Sequence, residues 1–172
     1  MEHLIELIYK LLRFFPRFKT IRPDEAAVQL RFGRVKKVFK GGGRFRFYWP
    51  LISEILVVKS VKQIIDLPSQ TVTTKDKKTI TINGSIKYKI SDPEKAILKV
   101  HDYDQLLQEV GCNAFREAIN GRTADEFVYE FFDCLEEVDE SLTKEADLCG
   151  IEIEEVYVMD QTISKVLRLI NN

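Results

Sequence analysis

The first 18 residues place polar side chains three or four positions apart, with apolar residues between them. This spacing predicts an amphipathic helix with one narrow polar stripe, which Pro16 should end. The polar stripe consists of His3, Glu6, Lys10, Arg13 and Arg17. The apolar positions are Leu4, Ile5, Leu7, Ile8, Leu11, Leu12, Phe14 and Phe15.

Two interpretations of this helix remain open. It could lie in a membrane interface, or it could dock on the protein's own core or on a partner. Its longest uncharged run is only three residues, whereas a bilayer span needs roughly 20. The narrow polar stripe favours the interface, so we expect the apolar positions to contact lipid. The basic residues expected near anionic headgroups are Lys10, Arg13, Arg17, Lys19 and Arg22.

From Ile21 onward the hydrophobic period changes to two, which predicts β-strands. Strands are expected over 28–32, 34–40, 44–50 and 55–67, the last one ending at Pro68. Gly41–Gly43 should form a turn with positive φ angles. The clearest alternation covers 79–91, where Gly84 on the apolar face predicts a bulge or a close backbone approach.

The next segment carries helix signals. Asp92-Pro93 should start one helix, and capping-box patterns at Asp102 and Thr123 should start two more. The helix from Thr123 is expected to be long, with Val128 and Phe132 among its inward residues. Gly150 should end it before a last strand, and a final helix is expected over 161–170. Strands followed by helices and one more strand predict an α+β fold with a mostly antiparallel sheet.

Composition and charge indicate the number of domains and the kind of partner that the protein is expected to bind. The 172 residues are 45% hydrophobic and 31% charged, which is typical of one globular domain. Residues 1–62 carry 14 Lys and Arg against five acids, so this segment is +9 while the whole chain is −1. Such asymmetry favours an anionic partner, either a lipid surface or a phosphate backbone. Solvated charge without a partner remains the alternative.

No residue pattern typical of catalysis stands out. The chain lacks a phosphate-binding loop, a zinc-protease motif and a nucleophile elbow. Its three cysteines are widely spaced and include no C-x-x-C pair. Its two histidines offer little material for a metal site. We expect Cys112 to be a core thiol and the domain to sit in a reducing compartment such as the cytoplasm. The sequence predicts no catalytic residue, no metal and no cofactor.

Residues 31–49 interleave cations with aromatic rings, which is also typical of a surface that binds single-stranded nucleic acid. An interfacial membrane anchor has the same composition. The apolar N-terminal helix favours lipid, because RNA does not need it. Nucleic acid is therefore kept as an alternative partner and not the expected one.

Several stretches resemble the SPFH or band 7 family, and the stomatin branch in particular. The first two are Ile-Arg-Pro-Asp-Glu-Ala-Ala-Val-Gln-Leu-Arg-Phe-Gly-Arg (21–34) and Gly-Gly-Gly-Arg-Phe-Arg-Phe-Tyr-Trp-Pro (41–50). The others are Gln-Thr-Val-Thr-Thr-Lys-Asp (70–76), Ser-Asp-Pro (91–93), Asp-Tyr-Asp (102–104) and the glycine-led strand from Gly150 to Asp160. They occur in the family's order and cover about four-fifths of the chain. The resemblance implies an SPFH domain over 21–160, preceded by a membrane-associating segment at 1–20 and followed by a short helical tail at 161–172.

The resemblance also implies a role. Family members are generally not enzymes; they assemble on membranes and modulate membrane proteases or channels. By this analogy the loop around Trp49 dips into the bilayer. Its expected lipid-contacting residues are Phe45, Phe47, Tyr48, Trp49 and Leu51.

The expected function is a peripheral or monotopic membrane scaffold that oligomerises with itself or with SPFH relatives. The family's usual long coiled coil is not seen in the sequence, which leaves self-assembly open. Contacts between the basic 1–62 segment and the acidic 130–160 segment of another copy could replace it. The alternative within the family is a minimal decoy that co-assembles with full-length relatives and perturbs them.

Overall fold

The structure is a computed structural model that describes residues 15–164. Within this range the chain divides into two compact units, which are treated separately below. The first unit contains residues 15–61 and 90–99, and the second contains 62–89 and 100–164. The strands are β1 (Arg17–Ile21), β2 (Glu25–Arg31), β3 (Arg34–Lys40), β4 (Arg44–Tyr48), β5 (Ser53–Lys59), β6 (Gln63–Thr73), β7 (Thr79–Ile90) and β8 (Ile151–Ser164). The helices are α1 (Pro93–Lys99), α2 (Tyr103–Asn120), α3 (Ala124–Tyr129) and α4 (Phe131–Leu148).

The first unit contains two small sheets and one helix. Strands β1 and β4 form an antiparallel ribbon, and β3, β2 and β5 form an antiparallel sheet in that order. Its core consists of Ile21, Ala27 and Ile55, with Phe39 and Tyr48 packed against them. The turn between β3 and β4 has φ angles of 53°, 107° and 55° at Gly41, Gly42 and Gly43. The predicted glycine turn is therefore confirmed.

The second unit contains the larger core. Its sheet has the order β6-β7-β8, and β7 supplies the alternation that the sequence predicts. Ile80, Ile82, Ile86 and Tyr88 are all buried. They pack with residues of α2, α3 and α4 that include Leu107, Phe115, Phe127 and Leu142. The α+β fold with antiparallel strands followed by helices is confirmed.

The helix starts follow from local side-chain chemistry. Asp92 accepts hydrogen bonds from the backbone N–H groups of Glu94 and Lys95 at the start of α1. Asp102 accepts hydrogen bonds from the backbone N–H groups of Asp104 and Gln105 at the start of α2. Thr123 and Glu126 form a complete capping box at α3. Each cap satisfies N–H groups that the first helical turn leaves without partners, so the three predicted helix starts are confirmed. At α2 the Gln105 side chain donates to Glu109, so the Asp102 cap is not a complete capping box.

The single long helix predicted from Thr123 is wrong. It is divided into α3 and α4 at Glu130, which has a non-helical φ of −103° and ψ of 29°. The break changes the direction in which the neighbouring side chains point. Val128 and Phe132, predicted to face inward, are exposed, whereas Phe127, Cys134 and Val138 are buried. No proline or glycine marks the break, so nothing in the local sequence signals it.

Three strand boundaries also differ from the sequence-based expectation. Residues 17–20, placed in the amphipathic segment, belong to β1, because pairing with β4 gives them strand hydrogen bonds. The single strand expected over 55–67 is two strands, β5 and β6. Pro68 does not end β6; it lies where the pairing with β7 shifts register between Leu67 and Gln70. A proline without an N–H group is tolerated at such a bulge.

At the other end, β8 extends to Ser164. Residues 161–164 are therefore strand, where the start of the final helix was expected. The rest of that helix lies outside the described residues, as do residues 1–14 of the predicted N-terminal helix. Within residues 15–164, no helix is long and apolar enough to cross a membrane.

Candidate functional site

The ribbon formed by β1 and β4 separates its side chains onto two faces. Phe18 pairs with Phe47, and Thr20 pairs with Phe45. Because successive side chains of a strand point to opposite faces, these four residues share one face. Ile21, which is buried, lies on the other face together with Tyr48.

The first of these faces is apolar and open to solvent. Phe18, Phe45 and Phe47 are 68%, 69% and 74% exposed. The rings of Phe18 and Phe47 make an edge-to-face contact with 6.0 Å between centroids. Contiguous exposed apolar side chains on a folded protein usually mark a surface that another molecule covers.

The turn after β4 extends this apolar region. Trp49 and Leu51 are both exposed. The Trp49 carbonyl accepts hydrogen bonds from the N–H groups of Ile52 and Ser53, at 3.1 and 2.9 Å, which fix the turn. We call these five residues the aromatic surface: Phe18, Phe45, Phe47, Trp49 and Leu51.

Another exposed phenylalanine adjoins this turn. Phe32 occupies the tip of the β2–β3 hairpin, and its N–H donates to the Ile52 carbonyl at 2.9 Å. Phe32 and Gly33 have φ angles of 50° and 73°, the left-handed pair that a tight two-residue hairpin turn requires. A bulky residue with positive φ costs on the order of 1 kcal/mol. A cleft of about 390 Å³ lies beside it, lined in part by Phe32, Tyr48 and Leu51.

The structure places the predicted lipid-contacting residues in three groups. Phe45, Phe47, Trp49 and Leu51 lie on the aromatic surface, and Phe15 is exposed just before β1. Tyr48 lies on the opposite face of the ribbon, where it packs against the core. The remaining predicted contacts lie outside the described residues: Leu4, Ile5, Leu7, Ile8, Leu11, Leu12 and Phe14.

The predicted headgroup-facing cations are divided in the same way. Arg17, Lys19 and Arg22 are exposed on or just after β1. The Lys19 ammonium also donates to the Ile55 carbonyl at 3.1 Å. Lys10 and Arg13 lie outside the described residues.

Sequence reasoning missed Phe18 and Phe32 as members of this region. Phe18 was placed in the N-terminal amphipathic segment over 1–20. The signal that could have identified β1 is the group of aromatic and β-branched residues after Pro16, namely Phe18, Thr20 and Ile21. Phe32 precedes a glycine in a turn, and its exposure depends on the hairpin geometry.

The strip of cations and aromatic rings over 31–49 does not form one stacking platform. Phe39 and Tyr48 pack against the core of the first unit. Arg46 lies over the Phe39 ring, 4.3 Å from its centroid. The strip is therefore divided between core-facing rings and exposed ones, and its exposed rings are Phe32, Phe45, Phe47 and Trp49.

The cysteines show no sign of activation. Cys112, Cys134 and Cys149 are free. Burial raises the pKa of the Cys112 thiol and of the Cys134 thiol, so both remain protonated near neutral pH. A nucleophilic cysteine needs the opposite shift. Among residues 15–164, no group of three or more His, Cys, Asp or Glu side chains could hold a metal ion.

The loop after β6 has a structural role. Asp76 accepts hydrogen bonds from the Thr74 hydroxyl at 2.6 Å and from the Ala124 N–H at 3.0 Å, and it pairs with Lys78 at 3.0 Å. The hydrogen bond from Thr74, followed by that from Lys78, lowers the pKa of Asp76 from its ordinary value of 3.8 to about 2. This carboxylate therefore connects the loop to the first turn of α3.

Asp76→Asn is expected to lower stability at neutral pH and to lose that effect in acid. Because the folded-state pKa is lowered, the contribution is present above pH of about 4 and disappears as the pH falls towards about 2. Urea unfolding midpoints at both pH values measure this. Asp125→Asn, which removes a more exposed partner of Lys78, should have a small effect at either pH. An equal loss for Asp76→Asn at both pH values would contradict the assignment.

Comparison with known proteins identifies the family. The model of the SPFH domain / Band 7 family matches residues 19–169. The chain belongs to the SPFH domain / Band 7 family. The matched range begins before and ends after residues 21–160, over which the sequence motifs resemble the family.

Individual relatives of this SPFH domain chain are distant. An uncharacterised protein of Archaeoglobus fulgidus is 27% identical over 95% of this chain and 65% of its own length. A stomatin homologue of Pyrococcus horikoshii is 26% identical, over 91% of this chain and 58% of its own. Mouse stomatin is 24% identical, over 83% of this chain and 50% of its own. The chain thus spans roughly half to two-thirds of the length of these relatives.

Proposed function

We propose that this SPFH domain chain is a membrane-associated scaffold module that attaches to lipid through the aromatic surface. The observation that carries the proposal is the exposed face of the β1–β4 ribbon, with three phenylalanines in water. Insertion of these rings into the boundary between headgroups and acyl chains would remove them from water. Trp49 at the adjoining turn has the amphipathic ring that is enriched at membrane interfaces.

Charge supports attraction to an anionic surface but does not fix the orientation, because Arg17 and Lys19 lie on the ribbon face opposite Phe18. Arg17, Lys19 and Arg22 lie on or beside β1, and each cation close to an anionic leaflet contributes about 1 kcal/mol. The +9 charge of residues 1–62 extends this attraction. Apolar insertion and electrostatic attraction together give stable binding where either alone is marginal.

The scaffold half of the proposal concerns assembly. We propose that membrane-bound copies oligomerise, with themselves or with SPFH relatives, and modulate a membrane protein such as a protease or channel. Support comes from family membership and from the exposed acidic residues on α4, which include Asp133, Glu136 and Glu140. These could face the basic β3 strand of a second copy. No enzymatic activity is proposed, and the three free thiols suit a reducing compartment.

Vesicle flotation followed by negative-stain imaging tests both halves. The full chain is expected to float with anionic vesicles, and less with neutral ones, because the cations contribute only to the first. Absence of flotation with either vesicle would contradict lipid attachment. Rings or arrays in the bound fraction would support assembly, whereas isolated bound monomers at high surface density would contradict it.

A further inference from the structure

The first unit contains a second cleft, on the core-facing side of β4. It has a volume of about 370 Å³, which is within the range of small-molecule sites. Lys37, Lys40 and Arg46 line it, together with the backbone of Gly41 and Gly42. None of these residues belongs to the aromatic surface or to the cations assigned to lipid headgroups.

Arg46 is the most informative residue of this cleft. Its guanidinium lies over the Phe39 ring, and its Nε atom is buried without a hydrogen-bond partner among the described residues. A buried N–H group without an acceptor is destabilising, and more so when it belongs to a charged group. Because Nε has almost no exposed surface, a ligand in the cleft could supply an acceptor to it only if the guanidinium moved on the Phe39 ring.

The two lysines add charge that the described residues do not neutralise. Neither Lys37 nor Lys40 makes an ion pair with a carboxylate of residues 15–164. Glu25 adjoins the glycine turn, since its carbonyl accepts the Gly41 N–H at 3.1 Å. Its carboxylate, however, accepts the backbone N–H of Arg22 at 2.9 Å. Among residues 15–164, no Asp or Glu lines the cleft.

The glycine turn leaves one wall of the cleft without side chains. Gly41 and Gly42 have φ angles of 53° and 107°, which other residues rarely adopt. A Cβ atom on Gly41 would also lie 3.2 Å from the Pro23 carbonyl oxygen. A ligand can therefore approach the backbone closely at this turn.

We propose that this cleft binds a phosphate group, specifically a phosphomonoester. Three cations without an acid favour a dianionic ligand, and a phosphomonoester carries a charge of about −2 near neutral pH. The planar guanidinium of Arg46 can donate two parallel hydrogen bonds to phosphate oxygens, and the lysines supply point charges. The remaining volume has room for the atoms attached to the phosphate. The source is either a soluble phosphate compound or a lipid headgroup, and the proposal does not depend on the proposed membrane role.

Titration of the full chain with inorganic phosphate and with glycerol 3-phosphate is the first arm of the test. Calorimetry at an ionic strength of about 0.15 M, where charges more than about 8 Å apart are largely screened, should detect saturable binding of at least one of the two. The variant Lys37→Gln/Lys40→Gln should weaken it by about tenfold or more, because two charge-assisted contacts are lost. Arg34→Gln/Lys36→Gln is the matched control, since it removes the same charge from the same strand outside the cleft. It should change the affinity by no more than about twofold.

Vesicles form the second arm and distinguish the sources. At equal total charge, phosphatidic acid carries a phosphomonoester and phosphatidylserine does not. Preference for phosphatidic acid that the cleft variant loses and the control keeps assigns the site to a lipid headgroup. Saturable soluble binding without that preference assigns it to a soluble phosphate compound.

Two results would overturn the proposal. One is the absence of both soluble binding and a phosphatidic acid preference in the unmodified chain. The other is an equal loss in the cleft variant and the control, which would indicate diffuse charge only. Arg46→Met, which preserves packing against Phe39, provides an independent check and should also abolish binding. Circular dichroism of each variant verifies that it is folded.

Discussion

Replacing Phe18 and Phe47 together by glutamate is expected to lower partition onto anionic vesicles by about 100-fold or more. Burial of one phenylalanine side chain contributes roughly 1.5–3 kcal/mol. Both rings are about 70% exposed, so together they can contribute about 3 kcal/mol on insertion. The introduced carboxylates are also repelled by the anionic leaflet. Trp49 is the only tryptophan, so a blue shift of its emission in wild type, absent in the variant, measures insertion directly.

The control uses equally exposed aromatic residues elsewhere. Tyr129 and Phe132 are 88% and 82% exposed and belong to the second unit. Tyr129→Glu/Phe132→Glu should change partition by no more than about twofold. Phe18→Leu/Phe47→Leu should retain most of the binding, because it preserves the apolar area. An equal loss in both glutamate variants would contradict a specific role for the aromatic surface.

The parts of the fold that could be predicted are those with a local physical cause. Strand β7 alternates because its Ile80 and Ile82 side chains point to one face and its threonines to the other. Asp102 and Thr123 cap helices through hydrogen bonds to N–H groups only two or three residues away. Gly150 has a φ of 74°, which few other residues adopt. Such signals are contained in short windows of sequence.

The incorrect sequence-based predictions concern segments whose structure depends on residues that are distant in the sequence. Residues 17–20 are too few and too polar to show a strand pattern by themselves, and only their pairing with β4 makes them a strand. The break at Glu130 is hidden because the apolar spacing continues on both sides. Pro68 is accommodated in β6 by a bulge, which depends on the register with β7. A pattern in one segment cannot specify any of these.

The two candidate sites also differ in how far local sequence could predict them. The exposed residues of the β4 segment and its turn could be predicted from their resemblance to a family loop and from their composition. Their division into an outer face with Phe45 and Phe47 and an inner face with Tyr48 depends on the ribbon register. The cleft proposed to bind phosphate was not predictable, because Lys37 and Arg46 come together only through packing between a sheet and a ribbon.

Gly84→Ala is expected to destabilise the second unit by about 3 kcal/mol or more, at the upper end of overpacking costs. A Cβ atom at this position would lie 2.4 Å from the Tyr157 carbonyl oxygen and 3.7 Å from the Phe115 ring. The oxygen belongs to the backbone of β8, so relief requires displacement of that strand and not rotation of a side chain. The close backbone approach predicted at Gly84 is therefore an approach to the Tyr157 carbonyl group of β8. Urea unfolding followed by helical circular dichroism measures the loss.

Gly121→Ala separates this steric effect from the general effect of replacing glycine. Gly121 has a φ of −75°, and its nearest atom to an added Cβ is the Glu117 carbonyl oxygen at 3.9 Å. Without conflict in the folded state, alanine should stabilise by about 0.4–1 kcal/mol, because it restricts the unfolded chain. The two substitutions add the same methyl group but should shift the unfolding midpoint in opposite directions. A loss below about 1 kcal/mol for Gly84→Ala would mean that β8 can move away from β7 at little cost, which a strand held by its own pairing and by α4 should not allow.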